Sequence, residues 1–177
     1  MNNKIGLSIL TLFGLGNSKK APGTVASFAT CMIYIFLYFL NIKAVILLFF
    51  LIIVSIYSVV LIDKSLNKFK NKDPKEIVID EFIGQSIPML FIYHVAQYDW
   101  LSVRLDGEDF FVILISFISF RFFDITKTYP IDLVDKKMKN GLGVVLDDVI
   151  AGIYSFLVVW LYAVIFNWHG YGFFKYY

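Results

Sequence analysis

The stretch GVVLDDVIAGIYSFLVVWLYAVIF, residues 143–166, decides the class of this protein. From position 149 to 166 it has no charged side chain. An apolar run of roughly 20 residues is what a helix needs to cross a bilayer core of about 30 Å. Two adjacent carboxylates, Asp147 and Asp148, stand at its mouth. One acid there is a matter of topology. Two side by side repel each other where water is about to end, and they need a counter-charge.

The rest of the chain extends the same reading. It has 177 residues, 59% of them hydrophobic and 19% aromatic, with a mean hydropathy of +0.73. A soluble domain carries about 45–50% apolar residues, so the expected class is an all-α, polytopic membrane helical bundle. Residues 28–62 hold one charge, Lys43, and the polar break at Asn41 to Lys43 splits them into a hairpin of two helices. Residues 82–98, with Pro88 inside, give a third span, 109–126 a fourth and 149–166 a fifth. The segment IGLSILTLFGLG, residues 5–16, is short and interrupted by glycine; it reads as an interfacial or re-entrant helix. About five transmembrane helices and one short amino-terminal helix form a single domain over residues 1–177. No A-x-A-like site follows the charged start, so no cleavable signal peptide is expected. Cys31, the one cysteine, reads as a small buried apolar residue and excludes an internal disulfide or a cysteine zinc cluster.

Thirteen Lys and Arg residues fall on one side of this five-span arrangement and three (Lys43, Arg104 and Lys175) on the other. The positive-inside rule puts the rich side in the cytoplasm. The lysine-rich segment 63–75 then acts as a topology determinant near anionic lipid heads, and the YGFFKYY tail as an interfacial anchor. No nucleic-acid partner is expected.

Four polar or glycine-rich stretches share that side: GLGNSKKAPGTVAS (14–27), KDPKEIVIDEFIGQ (72–85), RFFDITKTYPI (121–131) and NGLGVVLDDVIAG (140–152). They bring Asp80, Glu81, Asp124, Asp147 and Asp148 to one membrane depth, beside Arg121 and Lys127. Arg121, Asp124 and Thr128 lie at i, i+3 and i+7, one helix face. Asp147 and Asp148 are expected at the start of the fifth helix, where the dipole favours negative charge. Ala151 and Gly152 follow one turn on, small enough for close helix approach. Five clustered carboxylates need protons or a cation. Hard oxygen donors with no nearby His or Cys favour Mg²⁺ over Mn²⁺ or Ca²⁺. On the anion side, APGTVAS reads as a loop running into the first span, with free N–H groups at Gly23 to Val25 and hydroxyls on Thr24 and Ser27. Arg121 suits a bidentate phosphate clamp and Lys127 a point charge.

The motifs APGT-x-x-S, IVIDEFIGQ, RFFDI-x-K-x-x-PI and G-x-GVVLDD-x-x-AG, in this order, resemble those of the phosphatidylglycerophosphatase A family, from about residue 12 to about residue 153. Two positions depart from the family pattern: Ala26 where glycine is frequent, and Thr128 where proline usually follows the lysine. The resemblance implies a bacterial inner-membrane, Mg²⁺-dependent lipid phosphatase converting phosphatidylglycerophosphate to phosphatidylglycerol and inorganic phosphate. It implies Asp80, Glu81, Asp124, Asp147 and Asp148 as the acidic, metal-binding centre, and Thr24, Arg121 and Lys127 as phosphate contacts, with Ser27 beside them.

The expected chemistry is hydrolysis of a phosphate monoester, with Asp148 or Asp80 as general base and Arg121 offsetting charge on the phosphoryl oxygens. Attack by a carboxylate to give an aspartyl-phosphate stays open. A Cys nucleophile is disfavoured because Leu37, not Arg, follows Cys31 by six residues. Two other classes remain as alternatives. A phosphatidyltransferase would need the D-G-x-x-A-R pattern, which is missing. A small cation transporter would carry its acids at mid-span.

Overall fold

The computed structural model describes residues 3–66, 76–98 and 110–170. The segments 67–75, 99–109 and 171–177 lie outside the described residues, and with them most of the lysine-rich segment, Arg104 and the tail. The described chain is helical throughout: α1 (Asn3–Leu10), a 3-10 turn (Leu15–Asn17), α2 (Pro22–Phe39), α3 (Ala44–Leu66), α4 (Ile79–Tyr98), α5 (Phe110–Thr126), α6 (Ile131–Lys137) and α7 (Gly141–Gly170). No strand occurs among the described residues.

The hairpin break at Asn41 to Lys43 and the extent of α5 agree with the hydropathy pattern. Two helix starts do not. The first long helix begins at Pro22, not near residue 28, because proline suits the first helical position and Ala21 precedes it in a left-handed conformation (φ 46°). So Gly23, Thr24 and Ser27 belong to the first two turns of a helix, not to a loop. The last helix begins at Gly141, eight residues before its expected start. Asn140 caps it, accepting the Gly143 N–H at 2.9 Å, and Asp63 of α3 accepts the Gly141 N–H at 2.5 Å. Asp147 and Asp148 therefore lie about two turns in. A dipole effect confined to the first turn does not explain them.

Three helices among the described residues are long and apolar enough to cross a membrane: Pro22–Phe39, Ala44–Ser65 and Gly141–Ile165. The expected count of five is not reached on these criteria. The 17 residues of α5 reach about 26 Å at 1.5 Å each, the lower end of what a crossing takes. Two acidic residues that build the site, Asp80 and Glu81, fall within α4. With eight residues, about 12 Å long, α1 is no span; it lies against α3, and its Leu10 carbonyl accepts the Val78 N–H at 2.9 Å.

At the centre stands α7, packed most extensively against α4 and α5. One apolar cluster joins Tyr34, Leu47, Ile92, Tyr93, Val112 and Val159 from five helices. A second, around Leu10, Ile62, Ile83 and Val145, closes the end where α1 docks. The outward face of α3 is apolar as well, with Phe49, Ile53 and Ile56 exposed. A helix apolar on both faces needs lipid or protein around it.

Candidate active site

A close helix approach sits just beneath the acidic residues. A Cβ on Gly152 would lie 2.3 Å from the Gly84 carbonyl oxygen, and one on Gly84 would lie 2.6 Å from the Asp148 carbonyl oxygen. Only glycine lets α4 and α7 touch backbone to backbone here. Asp80 precedes Gly84 by one turn, and Asp148 precedes Gly152 by one turn. The crossing therefore carries both carboxylates to the same level. Gly23 plays a matching part for α2: its missing Cβ would fall 3.2 Å from Arg121 Nη1 and directly on Glu81 Oε1.

Above the crossing opens a cavity of about 310 Å³, at the lower end of small-molecule sites, roughly 300–1,000 Å³. Asp80, Glu81, Asp124, Asp147, Asp148 and Lys127 line it, with Gly23 from α2. All five expected carboxylates thus meet in one place, from α4, α5 and α7. Asp135 and Lys139, from α6 and the link to α7, complete the wall.

The carboxylates divide into two groups. Glu81 and Asp124 both pair with Arg121 Nη1, the latter at 2.9 Å. Lys127 Nζ bridges Asp147 at 2.6 Å and Asp124 at 3.2 Å. Burial opposes the charge on Lys127, but Asp148, Asp147 and Asp124 outweigh it and hold the ammonium pKa above the ordinary lysine range. The backbone serves this contact. Lys127 terminates α5 in a left-handed conformation (φ 46°), which costs a non-glycine residue about 1–2 kcal/mol, and its N–H still bonds to Phe123 O at 3.0 Å.

Asp80 and Asp148 form the second group. Neither makes an ion pair among the described residues. Asp148 is 3% exposed, and its Oδ2 is buried without a hydrogen-bond partner. It lies within electrostatic reach of Glu81, Asp124, Asp80 and Asp147. A buried, unpartnered carboxylate oxygen among like charges is costly unless a cation accompanies it. The all-oxygen donor set and the orphan oxygen both fit Mg²⁺. No three acidic or histidine side chains among the described residues converge as a ready metal shell. Mg²⁺ does not require one, since it is commonly held by one or two carboxylates with water and substrate phosphate.

Other expected residues occupy different places. Ser27 is fully buried and does not line this cavity: its Oγ sits 2.9 Å from Gly23 O and 3.2 Å from Glu81 Oε2, with Arg121 Nη1 at 3.5 Å. It holds the Glu81–Arg121 pair. Thr24 does not line the cavity; at the α2 start, Pro22 and Gly23 do. Arg121 stands behind the wall, its Nη1 committed to Glu81 and Asp124. Thr128 falls beyond the end of α5. Cys31 is buried and unpaired, as expected. The sequence reading missed Asp135 and Lys139, whose only local signal was the charged run before the last motif. It also missed Asp63, whose contact with Gly141 spans 78 positions.

Known proteins resemble this chain over most of its length. The family model described as Phosphatidylglycerophosphatase A matches residues 8–163. A "Putative phosphatidylinositol-3-phosphatase" of Bacteroides thetaiotaomicron is 32% identical, over 84% of this chain and 87% of its own. A phosphatidylglycerophosphatase A of Haemophilus influenzae is 36% identical, over 83% and 82%, and that of Escherichia coli 30%, over 81% and 74%. No solved structure matches. Matched over most of its length, and carrying its acidic residues in one cavity, the chain belongs to the phosphatidylglycerophosphatase A family of phosphatases.

Proposed function

We propose that this protein removes the terminal phosphate of phosphatidylglycerophosphate, giving phosphatidylglycerol and inorganic phosphate in glycerophospholipid synthesis, with Mg²⁺ as cofactor. The observation that carries the reading is the meeting of five carboxylates and Lys127 around one cavity at the end of a bundle of apolar helices. The protein sits in a bacterial inner membrane with the cavity toward the cytoplasm. The distribution of basic residues supports that orientation. Five helices cross, with α4 and α5 passing beside α7. Their far ends share an apolar cluster with α2, α3 and α7, which supports a common path.

Asp80 and Asp148 are the residues free to hold the metal. When bound, Mg²⁺ supplies Lewis-acid stabilisation of the phosphoryl oxygens. Lys127 Nζ meets the phosphate from the α5 side of the cavity. Asp148 Oδ2 takes the proton of the attacking water. Glu81, Asp124 and Asp147 hold the two cations in register, and Ser27 and Arg121 hold Glu81.

The test is release of inorganic phosphate from phosphatidylglycerophosphate in mixed micelles. Phosphatidylinositol 3-phosphate is run in parallel because the Bacteroides relative is named for it. Release with Mg²⁺, its loss in EDTA, and its loss in a folded Asp148→Asn variant are expected. A folded wild-type protein inert on both lipids with Mg²⁺ refutes the assignment; undiminished release in EDTA refutes the metal requirement.

A further inference from the structure

We infer that Lys139, at the mouth of the acidic cavity, binds the phosphodiester of a lipid headgroup whose terminal phosphomonoester lies at Lys127, and thereby favours lipids with two phosphates over lipids with one. The inference rests on the phosphatase reading and deepens it.

The cavity wall shows why such a residue is needed. Six carboxylates, Asp135 included, line it. A substrate with a second anionic group must place that group near them, against repulsion, unless a cation meets it there. The inner cations are committed. Arg121 serves Glu81 and Asp124, and Lys127 serves Asp124 and Asp147. Lys139 also lines the cavity, and among the described residues its ion pair is with Asp135, at 3.5 Å. Both side chains of that pair are about half exposed, 55% and 42%. An exposed pair of this kind is weak and easily opened by an incoming anion.

The backbone holds Lys139 in place while its side chain keeps the weak, exposed pair with Asp135. Met138, before it, donates its N–H to Val134 O at 2.9 Å and closes α6. The Met138 carbonyl oxygen occupies the space where a Cβ on Gly143 would stand, 1.9 Å away. Asn140, after it, caps α7 through the Gly143 N–H. Lys139 thus stands between two anchored neighbours at the cavity edge. In phosphatidylglycerophosphate a three-carbon spacer separates the terminal phosphate from the phosphodiester. With the terminal group at Lys127, the diester falls toward the mouth. A lipid with a single phosphate, such as phosphatidic acid, offers nothing anionic there.

Kinetics with the full-length protein in mixed micelles test this. For Lys139→Gln the KM for phosphatidylglycerophosphate is expected to rise about three- to tenfold with kcat retained, the size of a partly screened charged contact. Lys139→Arg should restore the KM. Asp135→Asn should lower it, because it removes the competing carboxylate. Phosphatidic acid, followed as substrate or as competitor, should bind Lys139→Gln as it binds wild type. An unchanged KM in Lys139→Gln, or an equal weakening toward phosphatidic acid, overturns the inference and leaves the phosphatase reading intact. Wild-type protein that releases no phosphate from phosphatidylglycerophosphate removes both.

Discussion

Replacing Gly152 with alanine should disable the enzyme while leaving it folded, and the expected size follows from the α4–α7 crossing. The new Cβ would meet the Gly84 carbonyl oxygen at 2.3 Å, against ordinary contact from 3.4 Å, so the helices must part by about 1.1 Å. The obstacle is backbone, which cannot rotate away. Gly84→Ala meets the Asp148 carbonyl oxygen and the Phe120 ring at 2.6 Å, and needs about 0.8 Å. Gly6→Ala, whose nearest neighbour is Leu61 Cδ2 at 3.6 Å, needs nothing and serves as control. Overpacking of this kind costs about 1–3 kcal/mol. A misplacement of about 1 Å between reacting groups costs about 100-fold in rate. Asp80 and Asp148 each lie one turn above the crossing, so the separation passes directly to them. The assay is phosphate release in mixed micelles, with thermal unfolding and size-exclusion in detergent as folding controls. The expected order of loss in kcat/KM is Gly6→Ala, negligible, then Gly84→Ala, then Gly152→Ala at about 100-fold. Wild-type kcat/KM in folded Gly152→Ala would falsify the argument that this crossing sets the carboxylate spacing.

Two further outcomes follow from contacts at the rim. Asp63→Ala should lower stability by about 1 kcal/mol, the worth of a helix cap, because the Gly141 N–H loses its acceptor; Asp63→Asn should keep most of it, and equal thermal midpoints for Asp63→Ala and wild type would show that this contact contributes nothing. Lys127 has a folded pKa raised above its unfolded one, so its pairing is fully present below the unfolded value and is lost only as pH climbs through the folded one. The difference in thermal midpoint between wild type and Lys127→Met should therefore be flat from about pH 6 to 9, and a difference shrinking across that window would mean that the ammonium loses its proton early.

How much of this was legible in the sequence depends on the range of the physics. Helix class, the break at Asn41 to Lys43 and the limits of α5 follow from hydropathy, which is local. The starts of α2 and α7 were missed because Pro22 was read as part of a loop and Gly141 and Gly143 as part of a glycine-rich stretch ahead of the last helix. Proline at a first helical position and glycine under a neighbouring backbone belong inside a helix, and the second case is visible only in three dimensions: a Cβ on Gly141 would stand 2.3 Å from Val59 O. The site residues were legible as a set, because each acidic pair stands out against an apolar background. Their pairing was not. The Arg121–Asp124 pair is an i,i+3 contact on one helix face, but that Arg121 would also be spent on Glu81, or that Ser27 would lie beneath Glu81, depends on contacts between residues 40 to 94 positions apart. Periodicity carries no such information.

The division of the carboxylates is what joins packing to chemistry. An ion network built for stability would match its acids to its bases. Here two bases are shared among Glu81, Asp124 and Asp147, while Asp80 and Asp148 are brought to one level with no ion pair of their own among the described residues. The Gly84–Gly152 contact that packs α4 on α7 is also what brings these two like charges together. Packing therefore creates an electrostatic demand that no ion pair among the described residues meets, and that the proposed Mg²⁺ would meet. The same economy extends outward. Lys127 is bound to two acids inside, whereas Lys139 has one weak partner at the mouth. Positive charge is thus held firmly deep in the cavity, where it orders the site, and loosely at its edge, where a headgroup arrives.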